Sequence, residues 1–195
     1  MSLTLTCPDD WHLHLRDGAL LAALLPDTVR QFRRAIVMPN LKPPVTTVEQ
    51  ARAYRERILA ALPRGAPFEP LMTLYLTDAT KPQEIAAAKA SGFVHAVKYY
   101  PAGATTHSEN GVTDLQRVYP VLAELEKQDL PLLLHGEATG ADVDVFDREA
   151  VFIERHLVPL ARAFPKLRLV LEHVTTREGV AFVEQAGSNI AATIT

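Results

Sequence analysis

Asp10-Trp11-His12-Leu13-His14-Leu15-Arg16 alternates with a period of two, the mark of a β-strand whose successive side chains point to opposite faces. His12, His14 and Arg16 fall on one side; Trp11, Leu13 and Leu15 fall on the other. Two imidazoles in one row make half of a metal site, because neutral imidazole is a good ligand for zinc-like ions. Arg16, one step further along, offers a planar fork for a carboxylate or phosphate. Taken alone, His-x-His is explained equally well by a half-exposed strand, and the rest of the chain tips the balance.

Outward from this strand, short apolar runs alternate with longer helical patterns. Runs at 35–38, 71–76, 96–100, 131–134, 167–171 and 190–194 read as six further strands. They are nearly continuous in apolar residues, as expected where both faces of a strand are buried. Helices are expected over 18–32, interrupted near Pro26, and from Thr46 or Thr47 to about Leu62. Others run from Pro82 to Gly92, over 113–128, over 146–164 with a bend or break at Pro159, and from Thr175 or Thr176 to Gly187. Residues 101–111 are polar and contain glycine, and read as a mobile loop. Strand–helix alternation implies parallel strands joined by helical crossovers. The notable polar residues stand at strand C-terminal ends: His14 and Arg16, Asn40, Lys98, His135 and His173. Lys98, His135 and His173 recur at intervals of 37 and 38 residues, one strand–helix unit each. A (β/α)₈ barrel gathers its site from such ends. A doubly wound sheet would use a single crevice, and its Gly-rich phosphate fingerprint is absent. The expected fold is α/β, a (β/α)₈ TIM-type barrel truncated after about seven strands, with 1–195 as one domain lacking the eighth strand onward.

A chain of 195 residues with 48% hydrophobic content is long enough for one domain with a sizeable core. The formal net charge of −3 gives no electrostatic case for a nucleic-acid partner. The one cysteine, Cys7, fits a reducing compartment. The N-terminus lacks a signal-peptide pattern, and the longest apolar run, 19–25, is short of the ~20 residues that span a bilayer. A cytoplasmic protein with no membrane partner is expected.

His12, His14, His135 and His173 would converge at one mouth of such a barrel. Four imidazoles exceed what a tetrahedral zinc with an open position takes, and they suit two metals sharing bridging anions. Of the carboxylates beside these strand ends, Glu172 is expected on the face opposite His173, while Glu137 falls inward. Lys98 lies among Val97, Tyr99 and Tyr100, where an ammonium is costly to bury. A neutral lysine amine adds carbon dioxide to give a carbamate, a long-armed carboxylate able to bridge two metals. His95 is expected to pack against a helix, His107 to be solvated in its loop, and His156 to sit on a charged helix face.

Several motifs, spread over essentially the whole chain, resemble the dihydroorotase family of homodimeric bacterial type, within the amidohydrolase superfamily. They are Trp11-His12-Leu13-His14-Leu15-Arg16, Val37-Met38-Pro39-Asn40-Leu41, Pro43-Pro44-Val45-Thr46-Thr47, Val97-Lys98-Tyr99-Tyr100-Pro101-Ala102, Leu134-His135-Gly136-Glu137, Asp147-Arg148-Glu149 and Glu172-His173-Val174-Thr175-Thr176. The resemblance implies two Zn²⁺ ions, one on His12 and His14 and the other on His135 and His173, bridged by carboxylated Lys98. It implies Arg16 and Asn40 on the substrate α-carboxylate, His14 and His135 beside the substrate, and Thr105 and Thr106 on a loop closing over it. Gly103 stands where the family has Asn. The implied reaction is the reversible cyclisation of N-carbamoyl-L-aspartate to L-dihydroorotate in pyrimidine synthesis, by a homodimer when full length. The family's proton-shuttling aspartate, on an eighth strand, lies beyond Thr195, so no catalytic acid–base residue is expected within these residues, and the chain alone is expected to be inactive. The alternatives are another cyclic amidase, hydantoinase-like, against which Arg16 and Asn40 argue, and a non-catalytic barrel that binds a partner enzyme.

Overall fold

The computed structural model describes residues 3–194. Seven strands pair in chain order, every pair parallel. They are β1 (Asp9–Leu13), β2 (Arg34–Val37), β3 (Glu69–Tyr75), β4 (Val94–Tyr99), β5 (Leu132–His135), β6 (Leu169–Glu172) and β7 (Ile190–Ala192). Parallel neighbours need long crossovers, and these carry α1 (Gly18–Gln31), α2 (Val48–Ala60), α3 (Pro82–Ser91), α4 (Tyr119–Gln128), α5 (Arg148–Phe152), α6 (Val158–Ala163) and α7 (Arg177–Gln185). Among the described residues, no helix is long and apolar enough to cross a membrane.

The sheet is curled. At ~4.8 Å per strand, β1 and β6 would stand roughly 24 Å apart in a flat sheet. Instead, His12 Nδ1 on β1 lies 2.9 Å from Glu172 Oε1 on β6. This is the curvature of a TIM-type α/β barrel, as the alternation of elements predicts. Among the described residues β1 and β7 do not pair with each other.

Curling sorts the apolar residues into two cores. Leu15, Val37, Leu74, Val97, Leu134 and Leu171 face outward and pack beneath Leu25, Tyr54, Ile85, Leu122 and Leu157 of the helical layer. Ile36, Met38, Leu71, Ala96 and Leu133, with Val170, form a separate cluster inside the barrel. Period-two alternation then lifts polar residues above that inner layer: Lys98 follows Ala96, His135 follows Leu133 and Glu172 follows Val170.

Local chemistry sets the helix ends. Thr47 caps α2 in a capping box with Gln50, satisfying two otherwise orphaned donors. Pro82 opens α3, which stops at Gly92 with φ +72°, a backbone that favours glycine. Three expectations need correction. Pro26 does not interrupt α1; the carbonyl it leaves unpaired belongs to exposed Ala22, where water can satisfy it. The segment 113–128 starts as a 3₁₀ turn at Leu115–Val118 before α4. The helix expected over 146–164 starts at Arg148 and passes through a π turn, Ile153–Leu157, just before Pro159. That wider turn absorbs the ring and the missing N–H of proline.

Residues 101–111 are knit together rather than loose. Gly103 N–H donates to Ser108 O (3.0 Å) and Ala102 N–H to Val112 O (3.0 Å). Thr105 N–H donates to Ser108 Oγ (2.8 Å), whose hydroxyl returns to Thr105 O (2.6 Å). Ser108 is fully buried, so the polar composition that reads as mobility serves internal hydrogen bonds. Gly111 is required where it stands, because a Cβ there would lie 2.4 Å from Tyr100 O.

Candidate metal centre

β1 ends at Leu13 after an irregularity in its pairing between Asp10 and Leu13. His12 lies inside the strand and His14 just past it, with Nε2 atoms 3.1 Å apart. The other nitrogen of each ring faces a fixed partner. Asn40, 3% exposed, donates its amide nitrogen to Thr106 O (3.1 Å), so its amide oxygen faces His14 Nδ1 at 2.9 Å. That oxygen can only accept, so His14 carries its proton on Nδ1 and a lone pair on Nε2. His12 Nδ1 lies 2.9 Å from Glu172 Oε1, close but without the alignment of a hydrogen bond. The His14 lone pair points to His12 Nε2. Two nitrogens on one tetrahedral zinc stand roughly 3.3 Å apart at Zn–N distances of about 2.0–2.1 Å, so this donor pair fits one cation.

Glu172 corrects a sequence expectation. Strict alternation puts it opposite His173, but β6 ends at Glu172, and His173 takes φ +46°. That left-handed residue swings its ring back inward, so neighbours 172 and 173 both face the mouth. The His173 ring lies 4.7 Å from that of His135 and 5.3 Å from that of His12, centre to centre. His135 Nε2 is buried without a hydrogen-bond partner, and Glu137 approaches it at 3.5 Å. Lys98 is 0% exposed; its ammonium pairs with Glu172 and lies 4.9 Å from the centre of the Tyr100 ring. Among the described residues no three His, Cys, Asp or Glu side chains stand in coordination geometry; the donors are gathered, with the Lys98–Glu172 pair between them.

The electrostatics favour uncharged ring nitrogens. Burial, reinforced by His12 and Arg16, lowers His14 to about 4. Burial with Lys98 and His173 lowers His135 to about 3, and burial with Lys98 and His12 lowers His173 to about 4. Burial also pulls the Lys98 ammonium below its ordinary value, against the opposing pull of Glu172.

Arg16 lies beyond the strand with φ +57°, and Tyr54 OH donates to its carbonyl at 2.5 Å. One terminal nitrogen of its guanidinium is buried without a partner. Thr105 and Thr106 are exposed on the 101–111 loop. His107 is half-buried rather than solvated: its Nδ1 lies 3.2 Å from Asn40 O, and its carbonyl accepts from Tyr75 OH at 3.3 Å. His156 is exposed on the π turn. His95 is exposed and lines, with Trp11 and Arg34, a cavity of about 500 Å³ at the lower end of the barrel, instead of packing under a helix.

The chain that forms this curled sheet matches the family model described as "Amidohydrolase family" over residues 9–191. The chain belongs to the amidohydrolase family. Among curated relatives, this amidohydrolase is 69% identical over 193 residues to a dihydroorotase of Microcystis aeruginosa, covering 99% of this chain and 56% of that protein. It is 70% identical over 193 residues to a dihydroorotase of Synechocystis sp., with the same coverage. The crystal structure of dihydroorotase from Campylobacter jejuni superposes with a TM-score of 0.88 at 38% identity, covering 96% of this chain and 54% of that one. The amidohydrolase chain thus spans about half the length of the curated relatives it matches.

Proposed function

We propose that this chain forms the metal-holding and anion-binding part of a zinc-dependent dihydroorotase. The observation that carries the reading is the pair of imidazole Nε2 atoms 3.1 Å apart, with His14 oriented through its Nδ1 by buried Asn40, beside a fully buried lysine. The identity to proteins named dihydroorotase supports it. His12 and His14 would hold one Zn²⁺, His135 and His173 the other, and Lys98, carboxylated, the bridge. These ions would supply polarisation of the ring amide carbonyl and activation of water.

The remaining work falls to the chain. The Lys98 ammonium would lose one proton to become the neutral amine, which forms an N–C bond to carbon dioxide and releases a second proton, so that a cation becomes an anion. Its pair with Glu172 must then open, leaving Glu172 to His12. The free nitrogen of Arg16 would take the substrate carboxylate, with the Asn40 amide nitrogen as second donor in exchange for Thr106 O. His14 and His135 would border the substrate, and Thr105 and Thr106 would cover it. The proton carrier would come from an eighth strand, seated in the cleft of about 410 Å³ that Asp9, Trp11 and His12 share with Ala192 and Thr193. N-carbamoyl-L-aspartate and L-dihydroorotate are the proposed substrate pair, in pyrimidine synthesis, for a cytoplasmic homodimer with neither nucleic acid nor membrane as partner.

Zinc determination on the complete enzyme should give two equivalents per subunit, with a ¹³C carbamate signal that disappears in Lys98→Arg and hydrolysis of L-dihydroorotate by the unaltered protein. Fewer than one zinc, or no carbamate in the zinc-loaded protein, would count against the reading.

A further inference from the structure

Glu149 on α5 is buried, and it is absent from the chemistry described above. Its carboxylate accepts from Thr176 N–H (2.9 Å), from the Thr176 hydroxyl (2.5 Å) and, more distantly, from Thr175 N–H (3.3 Å). Thr176 in turn caps α7 by accepting Gly179 N–H at 3.1 Å. Gly179 must lack a side chain here: a Cβ would lie 2.7 Å from Glu149 Oε1 and 2.6 Å from Val174 Cγ1. Glu149, Thr175, Thr176 and Gly179 are one locked unit, in which a buried anion stands at the donor end of a helix.

That unit begins two residues after His173, whose left-handed backbone L-residues avoid. On its other side the same turn is held by the residue just after β7: His173 N–H donates to Thr193 Oγ1 (3.0 Å) and Val174 N–H to Thr193 O (2.9 Å). A strained residue persists only when its surroundings over-determine it. Here the surroundings are Thr193 before the bend and Glu149 after it. An apolar side chain at 149 would fill the space but leave the donors of Thr175 and Thr176 unpaired.

We propose that Glu149 is a positioning residue: it holds the turn after β6 so that His173 keeps its left-handed backbone and its ring beside His135. It thereby sets the geometry of the zinc half built by those two rings, which rests on the metal reading proposed above.

Glu149→Gln keeps one oxygen for the donors that converge on Oε1, but it removes the negative charge and sets an N–H₂ where Oε2 stands, 3.3 Å from Thr175 N. In the complete zinc enzyme, chelator competition should show one of the two zinc affinities falling about ten- to hundredfold, the usual effect of losing a partner that orients a ligand, with the other unchanged. Thr176→Ser, which keeps the hydroxyl, should retain both affinities; Thr176→Val should show a smaller loss at the same site. In the metal-free protein, the nuclear Overhauser contact between the His135 and His173 rings should vanish in Glu149→Gln and persist in Thr176→Ser. Retention of both affinities and of the ring contact in Glu149→Gln overturns the proposal. A wild-type protein that binds no zinc would defeat the metal reading, while the ring contact still decides the role of Glu149. Should Glu149→Gln fail to fold, Thr176→Val decides by the same two measurements, and unchanged values there overturn it.

Discussion

Arg16 holds one guanidinium nitrogen buried and unpaired, although a buried donor without a partner costs about 1–3 kcal/mol. Such a cost is kept where a ligand will occupy the donor. Arg16→Lys replaces a planar fork by a point charge, so KM for L-dihydroorotate should rise about tenfold or more, with zinc content unchanged; wild-type kinetics would show that the fork has another partner. The histidines give a second test. His14, His135 and His173 titrate near 3–4 in the folded chain and near 6.5 when unfolded. The unfolded state therefore binds more protons between those values, and stability must fall as pH drops from about 6.5 toward 4. The urea midpoint of the metal-free protein should be lower at pH 5 than at pH 7.5, and His173→Gln should flatten the difference. Sequence alone points to His12 and His14 through the alternation of their strand, to Lys98 inside an apolar run, and to His135 and His173 at the ends of such runs. It does not reveal Glu172, because a single left-handed residue cancels the alternation rule, nor the engagement of Asn40, whose partners lie on a loop 66 residues away.

At the scale of elements, alternation marks β1 and apolar runs mark β2 to β7; the runs of β2 to β6 stand out because those strands are largely buried on both faces. Boundaries are less visible: β6 ends at Glu172, where a bend rather than any breaker residue stops it. Loop 101–111 misleads for a related reason, since composition cannot distinguish polar groups bonded to water from polar groups bonded to one another. Its packing gives a direct test. Gly111→Ala would press a methyl against the carbonyl oxygen of Tyr100, and backbone cannot step aside as a side chain can. The substitution should destabilise the protein by about 1–3 kcal/mol, read as a lower urea midpoint at unchanged m-value, and it should raise KM through displacement of the loop. An unchanged midpoint would mean that the loop moves more freely than its hydrogen bonds imply.

For the molecule as a whole, curvature is the property least available from sequence, because the contact between His12 and Glu172 depends on the summed twist of six strands. Its consequence is a pair of open edges. Ala191 and Ala192 are exposed on β7, and open edges of apolar strands recruit other strands. Residues 1–195 alone should sediment faster than a 21.5 kDa monomer, and Ala192→Lys should reduce that association; a clean monomer without the substitution would contradict the reading. The inner cluster of Ile36, Met38, Leu71, Ala96 and Leu133 has an effect of another kind. It puts a dry floor beneath the polar mouth, and ions and hydrated molecules cross such a layer poorly. Once an eighth strand closes the gap between β1 and β7, traffic would have a single doorway. An arriving molecule cannot pass a departing one, so occupancy must alternate, and anything lodged beneath residues 101–111 detains whatever lies deeper until it leaves.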